Sequence, residues 1–153
     1  MQYPNLDRYN KGAWLLHTLR LSIADDPMFF GLIKGFYEKY RYKTCTSDDF
    51  VNFVNSYLGK DMSRVIEQYL HHPSLPTLEY DLEQMDSGDI KIKCRWRADV
   101  KGFDMPVVVG TVDQAFLLRP VTGEIKEGVL SGINDMKAFR VSDGLFFVEK
   151  KRL

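Results

Sequence analysis

Part-way along this 153-residue chain the spacing of apolar residues switches from a helical repeat to a strand repeat, and few folds accommodate such a switch. From about Asp7 to His72 apolar side chains recur three and four residues apart, and the breaks between runs carry helix start and stop residues. Four helices are expected. The first sets Leu15, Leu16, Leu19 and Ile23 on one side and ends before Asp25-Asp26-Pro27, where an Asp cap followed by Pro at the first helical position starts the second. That second helix should bury Phe29, Ile33, Phe36 and Tyr40. Thr46, with Asp48 and Asp49 in the first turn, opens a third helix carrying Phe50, Phe53, Val54 and Tyr57, and Gly59 stops it. Asp61 is the expected cap of a fourth, which carries Met62, Val65, Ile66, Tyr69 and Leu70. It stops at His71-His72-Pro73, since Pro73 disfavours helical geometry at the residue before it.

After Pro76 the period becomes two. Leu78, Tyr80 and Leu82 alternate with Glu79, Asp81 and Glu83, and Ile90, Ile92, Cys94 and Trp96 alternate with Lys91, Lys93, Arg95 and Arg97. A hairpin with its loop at residues 84–88 satisfies both faces: Glu83 opposite Asp89, Asp81 opposite Lys91, Glu79 opposite Lys93. Further strands are expected at residues 106–111, 115–119, 124–130, 137–141 and 145–150. The fold class is therefore α+β, a bundle of about four α-helices followed by a small antiparallel β-sandwich. The division falls at Pro73-Ser74-Leu75-Pro76, giving a helical part at 1–75 and a sandwich at 76–153.

Hydrophobic residues at 44% and aromatics at 13% suffice to fill a core. Lys plus Arg and Asp plus Glu are balanced at 21 each, so no overall field draws the chain to nucleic acid or to an anionic membrane. The Lys91, Lys93, Arg95 and Arg97 stripe faces acidic residues and reads as a solvated strand face, not a nucleic-acid surface. No apolar run approaches the roughly 20 residues of a membrane helix. Trp14, Phe29, Phe30, Phe36, Phe50 and Phe53, at helical spacing, read as core and not as a ligand pocket. Cys45 and Cys94 are free thiols or at most one bridge, which leaves the compartment open.

Activating water with zinc takes three protein ligands and an open position, commonly with two His one helical turn apart and a Glu between them. The chain has only His17, His71 and His72. Adjacent side chains on a helix point about 100° apart, so His71 and His72 form no facing pair, and they suit the negative end of a helix dipole instead. No metal ligand and no cofactor are expected within this chain.

The stretch Tyr9-Asn10-Lys11-Gly12-Ala13-Trp14 resembles the Tyr-x-Lys-Gly-Ala segment of bacterial zinc metallo-aminopeptidases of the aminopeptidase N family, gluzincins in which it opens a helix shortly after the zinc-binding part of the catalytic domain. Asp25-Asp26-Pro27-Met28-Phe29 is similar to the family's acidic turn before a Phe, and residues 37–50 are similar to its Tyr-x-Tyr and Thr-x-x-Asp-Phe pattern. The run from Val65 to Pro76 resembles a helix ending in Pro-Gly-x-Pro, with Ser74 in place of the Gly. Gly102 to Val107 and Arg119-Pro120 resemble the β-sandwich that many members carry next.

By this resemblance the helical part is the end of a thermolysin-like catalytic domain, and Tyr9 matches the catalytic tyrosine that hydrogen-bonds the oxyanion of the tetrahedral intermediate. A phenol of pKa about 10 stays protonated at neutral pH, and such a donor is typically worth about 3–4 kcal/mol of barrier. Gly12 reads either as a helix-start residue of low steric demand or as a site of close backbone approach. The chain is thus expected to be the C-terminal fragment of an enzyme that removes N-terminal residues from peptides. Zinc, its ligands and the general base belong to the missing N-terminal part of the catalytic domain. Peptide substrate and that missing part are the expected partners of the parent, whose compartment, bacterial periplasm or cytoplasm, stays open. The isolated chain is expected to be inactive, and to form a homodimer through helical surface left bare. The rival reading is a stand-alone, non-catalytic binding or scaffold module descended from such a peptidase. A carbohydrate-binding sandwich is a third, resting on the β pattern alone.

Overall fold

The computed structural model describes residues 6–133, 135–142 and 144–153, with side chains from residue 10 onward. Four helices come first, α1 Leu6–Ile23, α2 Asp26–Tyr40, α3 Ser47–Leu58 and α4 Ser63–His71. Their ends are set by local chemistry. Asp25 accepts from the Met28 N–H at 2.9 Å and starts α2, with Pro27 in its first turn. Thr46 and Asp49 form a reciprocal capping box at α3, and Gly59 closes that helix in the left-handed conformation at φ 61°. The start of α4 differs from expectation. Met62 holds the cap position, because Asn55 Oδ1 takes the Met62 N–H at 2.8 Å while Asp61 Oδ1, one residue earlier, takes that of Ser63 at 2.9 Å. The hydrogen bonds from Ser63 hold the Asp61 carboxyl below its ordinary range.

The buried faces also shift. In α1 the inward residues are Leu15, Thr18, Leu19 and Ser22, while Leu16 is exposed. The helical spacing is right but the face includes two small hydroxyl residues, and Ser22 Oγ satisfies itself on the Thr18 carbonyl at 2.8 Å. In α4 the fully buried Gln68 joins Val65, Ile66 and Tyr69, and Leu70 is turned outward. In α2 Phe29 and Leu32 are the buried residues; Phe36 and Tyr40 instead belong to a half-buried aromatic layer with Phe50 and Phe53 of α3, with Phe36 edge-on to both phenylalanines at 5.1 and 5.6 Å. That layer needs the two helices close together. A Cβ at Gly35 would lie 3.2 Å from the Phe53 ring, and one at Gly31 would collide with the Tyr57 hydroxyl.

Among its described residues the β half holds seven strands in two sheets. β1 Thr77–Gln84, β2 Ile90–Arg97, β5 Lys126–Leu130 and β7 Glu149–Arg152 make the first, in the order β5-β2-β1-β7; β3 Val107–Gly110, β4 Ala115–Leu118 and β6 Arg140–Val141 make the second, in the order β4-β3-β6. The fold is α+β. The β1–β2 hairpin keeps the expected faces but slides by one residue on each strand, so that Gln84 faces Ile90, Glu83 Lys91, Asp81 Lys93 and Glu79 Arg95. The turn explains the slide. Asp89 is held in the loop by hydrogen bonds to Ser87 and to the Gly132 N–H, and Gly88 takes φ 89°, so pairing begins only at Ile90. β7 runs parallel to β1, unlike the other pairs, which are antiparallel. The expected strand at 137–141 shrinks to β6 behind a 3-10 turn at Met136–Ala138 capped by Asp135. That at 145–150 starts later, since Phe146 is buried and the Leu145 N–H turns back to Ser142.

A single buried cluster crosses from helices to sheets. It runs from Leu15, Leu19 and Ile66 through Tyr69 to Leu78, Trp96, Phe103, Met105, Val109 and Phe146. Trp96 donates its indole N–H to the Met105 carbonyl at 2.8 Å inside that cluster. Cys94 is buried and Cys45 exposed, both as free thiols, and burial pushes the Cys94 thiol up to about 11. With one shared core, helices and sheets are expected to melt together. In a Trp14→Phe chain, the far-ultraviolet helical signal and Trp96 fluorescence should give coincident denaturation midpoints. Separated midpoints would mean that the two halves unfold independently.

Candidate functional site

Tyr9 falls within α1, and its side chain lies outside the described residues. The described surroundings begin with Lys11, whose ammonium donates to the His72 carbonyl just past the end of α4. A cation there meets the negative end of the α4 dipole. Gly12 faces open space, with nothing within 4 Å of a Cβ placed on it, so nothing described in this chain makes the close backbone approach. One turn further on, Trp14 stacks on Phe147 at 5.3 Å and 11° and meets His17 edge-on at 5.7 Å. A cleft of about 370 Å³ is lined by Lys11, Leu70, His71, His72, Pro73, Leu75 and Phe147.

A second, more polar cleft of about 440 Å³ shares Pro73 and Leu75 and is bounded by Thr77, Arg97, Asp99 and Glu149. Its wall depends on Gln68. The Gln68 side-chain carbonyl accepts from the Asp99 and Val100 N–H groups, each at 3.0 Å, and its amide donates to the Ser74 carbonyl at 3.0 Å and to Asp99 Oδ2 at 3.2 Å. Neighbouring Tyr69 is buried, which pushes its phenol well above the ordinary range. It therefore stays protonated and donates to the Phe147 carbonyl at 2.9 Å. This tyrosine is a structural donor, not a titrating one.

The remaining candidates from the sequence are dispersed. His71 is exposed, and His72 Nδ1 sits 3.9 Å from Asp99 Oδ2. Among the described residues no group of three or more His, Cys, Asp or Glu side chains comes together. The basic stripe is neutralised, though by different partners from those expected. Lys91 pairs with Glu127 of β5 at 2.7 Å, while Arg95 and Arg97 reach the buried Glu79 at 2.8 and 3.3 Å. Of the aromatics read as core, Phe30 is more than half exposed and the others are buried or half-buried. Sequence reasoning missed Gln68 and Phe147. A Gln at i+3 from Val65, in the middle of an apolar face, was the available signal for the first.

No protein-family model matches the chain. Over 74 residues it is 31% identical to aminopeptidase N of Lactococcus lactis subsp. lactis, a match that takes in 48% of this chain and 9% of that protein. This chain is related to aminopeptidases. In fold, 93% of it superposes on aminopeptidase A of Legionella pneumophila, solved in complex with aspartic acid, with a TM-score of 0.73 at 18% identity. It spans 17% of that chain. The four helices and two sheets thus form an arrangement also found inside a much longer aminopeptidase.

Because Gln68 closes the junction between the two clefts, Gln68→Leu should destabilise the chain by at least about 2 kcal/mol, each buried donor left unpaired costing about 1–3 kcal/mol. Urea denaturation of the variant beside the parent chain measures it. An unchanged midpoint would show that water replaces the amide without loss.

Proposed function

We propose that this chain is a segment of a zinc-dependent aminopeptidase acting on peptides, and that it supplies the oxyanion-stabilising tyrosine, Tyr9, but no metal ligand. The sequence relationship to aminopeptidase N carries the reading, together with the helix that holds Tyr9, Lys11 and Gly12 in one continuous stretch. The donor set described here does not fit zinc. His17 packs against Trp14, and His71 and His72 sit in succession at a helix end with only Asp99 nearby. The metal, its ligands and the base therefore lie outside this chain on this reading.

What the chain's own residue contributes is electrostatic. The Tyr9 hydroxyl, protonated at neutral pH, donates a hydrogen bond to the oxygen on which negative charge grows as the peptide carbonyl becomes tetrahedral. It stabilises that state more than the planar ground state, and so lowers the barrier without giving up its proton.

The partner implied by this reading is the rest of the catalytic domain. Between α1 and α2 an apolar groove of about 260 Å³ is lined by Leu16, His17, Arg20, Phe29, Phe30 and Ile33, and Leu16, Met28, Phe30 and Tyr37 stand exposed along these helices. In the longer protein this surface is covered by the remaining catalytic domain. In its absence the chain self-associates through it. Light scattering should show mass rising with concentration, and a Phe30→Lys change should abolish the rise; a strict monomer at all concentrations would remove this part of the proposal.

The activity test compares the 153-residue chain with the full-length protein containing it. The chain alone should release nothing from aminoacyl fluorogenic substrates. The full-length protein should be active and chelator-sensitive, and its Tyr9→Phe variant should keep its zinc while losing about a hundredfold or more in kcat. An unimpaired Phe variant, or a gene that never extends to a His-Glu-x-x-His motif, would sink the catalytic reading and leave the non-catalytic binding module in its place.

A further inference from the structure

We infer that Lys11 and Phe147 are positioning residues that hold the opening turns of α1, and with them Tyr9, against α4 and the β half. The inference rests on the assignment of Tyr9 as the oxyanion donor. An oxyanion donor must be held within a fraction of an ångström of its target. Tyr9 lies on α1 two residues before Lys11, so whatever fixes this stretch of the helix fixes the backbone that carries the tyrosine.

Two contacts fix it. Lys11, two residues after Tyr9, reaches across to the His72 carbonyl, a link between positions 61 residues apart. Trp14, just over one turn on, lies flat against Phe147. Phe147 in turn is fixed from three directions: its N–H points to Thr18 Oγ1 at 3.5 Å, its carbonyl accepts from Tyr69, and its ring lies 6.3 Å from the Tyr69 ring in a stacked arrangement. Lys11 and Trp14 are only half-buried, and Phe147, half-buried too, packs against the edge of the main core beside Tyr69. Their common effect is to fix the rotation and height of α1 at its start, on a platform built from the end of α4 and the loop before β7. This gives the β half a catalytic purpose. It supplies the wall against which the tyrosine-bearing turn is held.

The test has two arms. In the full-length enzyme, Lys11→Met keeps the aliphatic stem and removes the ammonium. It should lower kcat about tenfold to a hundredfold with KM and zinc content essentially unchanged, as expected for a misplaced catalytic group, and Lys11→Arg should restore most of the loss. Phe147→Leu should act in the same direction. Combined with Tyr9→Phe, neither change should add a further loss, because each acts through the same hydroxyl. If Tyr9→Phe has no effect, the reading of Tyr9 falls and this inference falls with it. If Tyr9→Phe is damaging while Lys11→Met keeps full kcat, or multiplies the loss, only the inference falls. In the isolated chain, independent of activity, Lys11→Met should raise hydrogen exchange at amides 10–14 by about tenfold or more and leave α3 unaffected. Unchanged exchange at those amides overturns the inference outright.

Discussion

The buried hydroxyl of Tyr69 has one good hydrogen-bond acceptor, the carbonyl of Phe147, and the meeting of these two residues sets how the halves of the molecule fit together. A phenol taken out of water without a partner costs several kcal/mol, so the loop carrying Phe147 is drawn to α4. Once there, the loop feeds the chain directly into the first sheet, where the Glu149 N–H bonds the Pro76 carbonyl at 2.9 Å and β7 settles beside β1. The same residue offers its ring to Trp14 of α1. One loop thus binds the first helix, the fourth helix and the outer strand of the first sheet.

Polar groups at the junction follow the same economy of space. Gln68 stands where a hydrophobic residue would leave two backbone N–H groups unanswered, and among the described residues no buried side-chain nitrogen or oxygen lacks a partner. Glu79, buried on β1, is met by two guanidinium groups from β2. A buried carboxylate of this kind is tolerable only when its cations are present, so it fixes which face of the hairpin turns outward more than it adds to stability. Through the Ser74 carbonyl, Gln68 also holds the segment from Pro73 to Pro76, which has a cleft on either side.

The four helices, the switch to strands and the faces of the hairpin could be read from the chain, because apolar period, caps and turn residues are local properties. What escaped was decided by tertiary partners. Leu16 and Leu70 have the right spacing for a core, yet Thr18 and Gln68 took inward places facing Phe147 and the Asp99–Val100 backbone, while Ser22 turned inward by bonding the Thr18 carbonyl of its own helix. The slide of the hairpin came from Asp89 bonding a distant glycine, and the parallel course of β7 from the pull of Pro76 and Tyr69; neither leaves a mark in the local pattern. At the candidate site the sequence named Tyr9 by resemblance alone. The lysine two residues later was in the same motif, but the role inferred for it depends on a carbonyl at His72 that only the fold brings near.

The contacts that close the molecule are far apart along the chain: Phe147 lies 129 residues from Thr18 and 78 from Tyr69, and Glu149 lies 72 from Thr77. Such closures lose much chain entropy before they return any binding, and they slow folding. The helices precede in the chain the loop that steadies α1. Until Phe147 is in place, the Trp14 ring lacks its stacked partner and the Tyr69 hydroxyl its carbonyl acceptor. Folding of these residues therefore waits on the docking of Phe147, and the apolar faces of α1 and α4 stay open to other chains until it arrives.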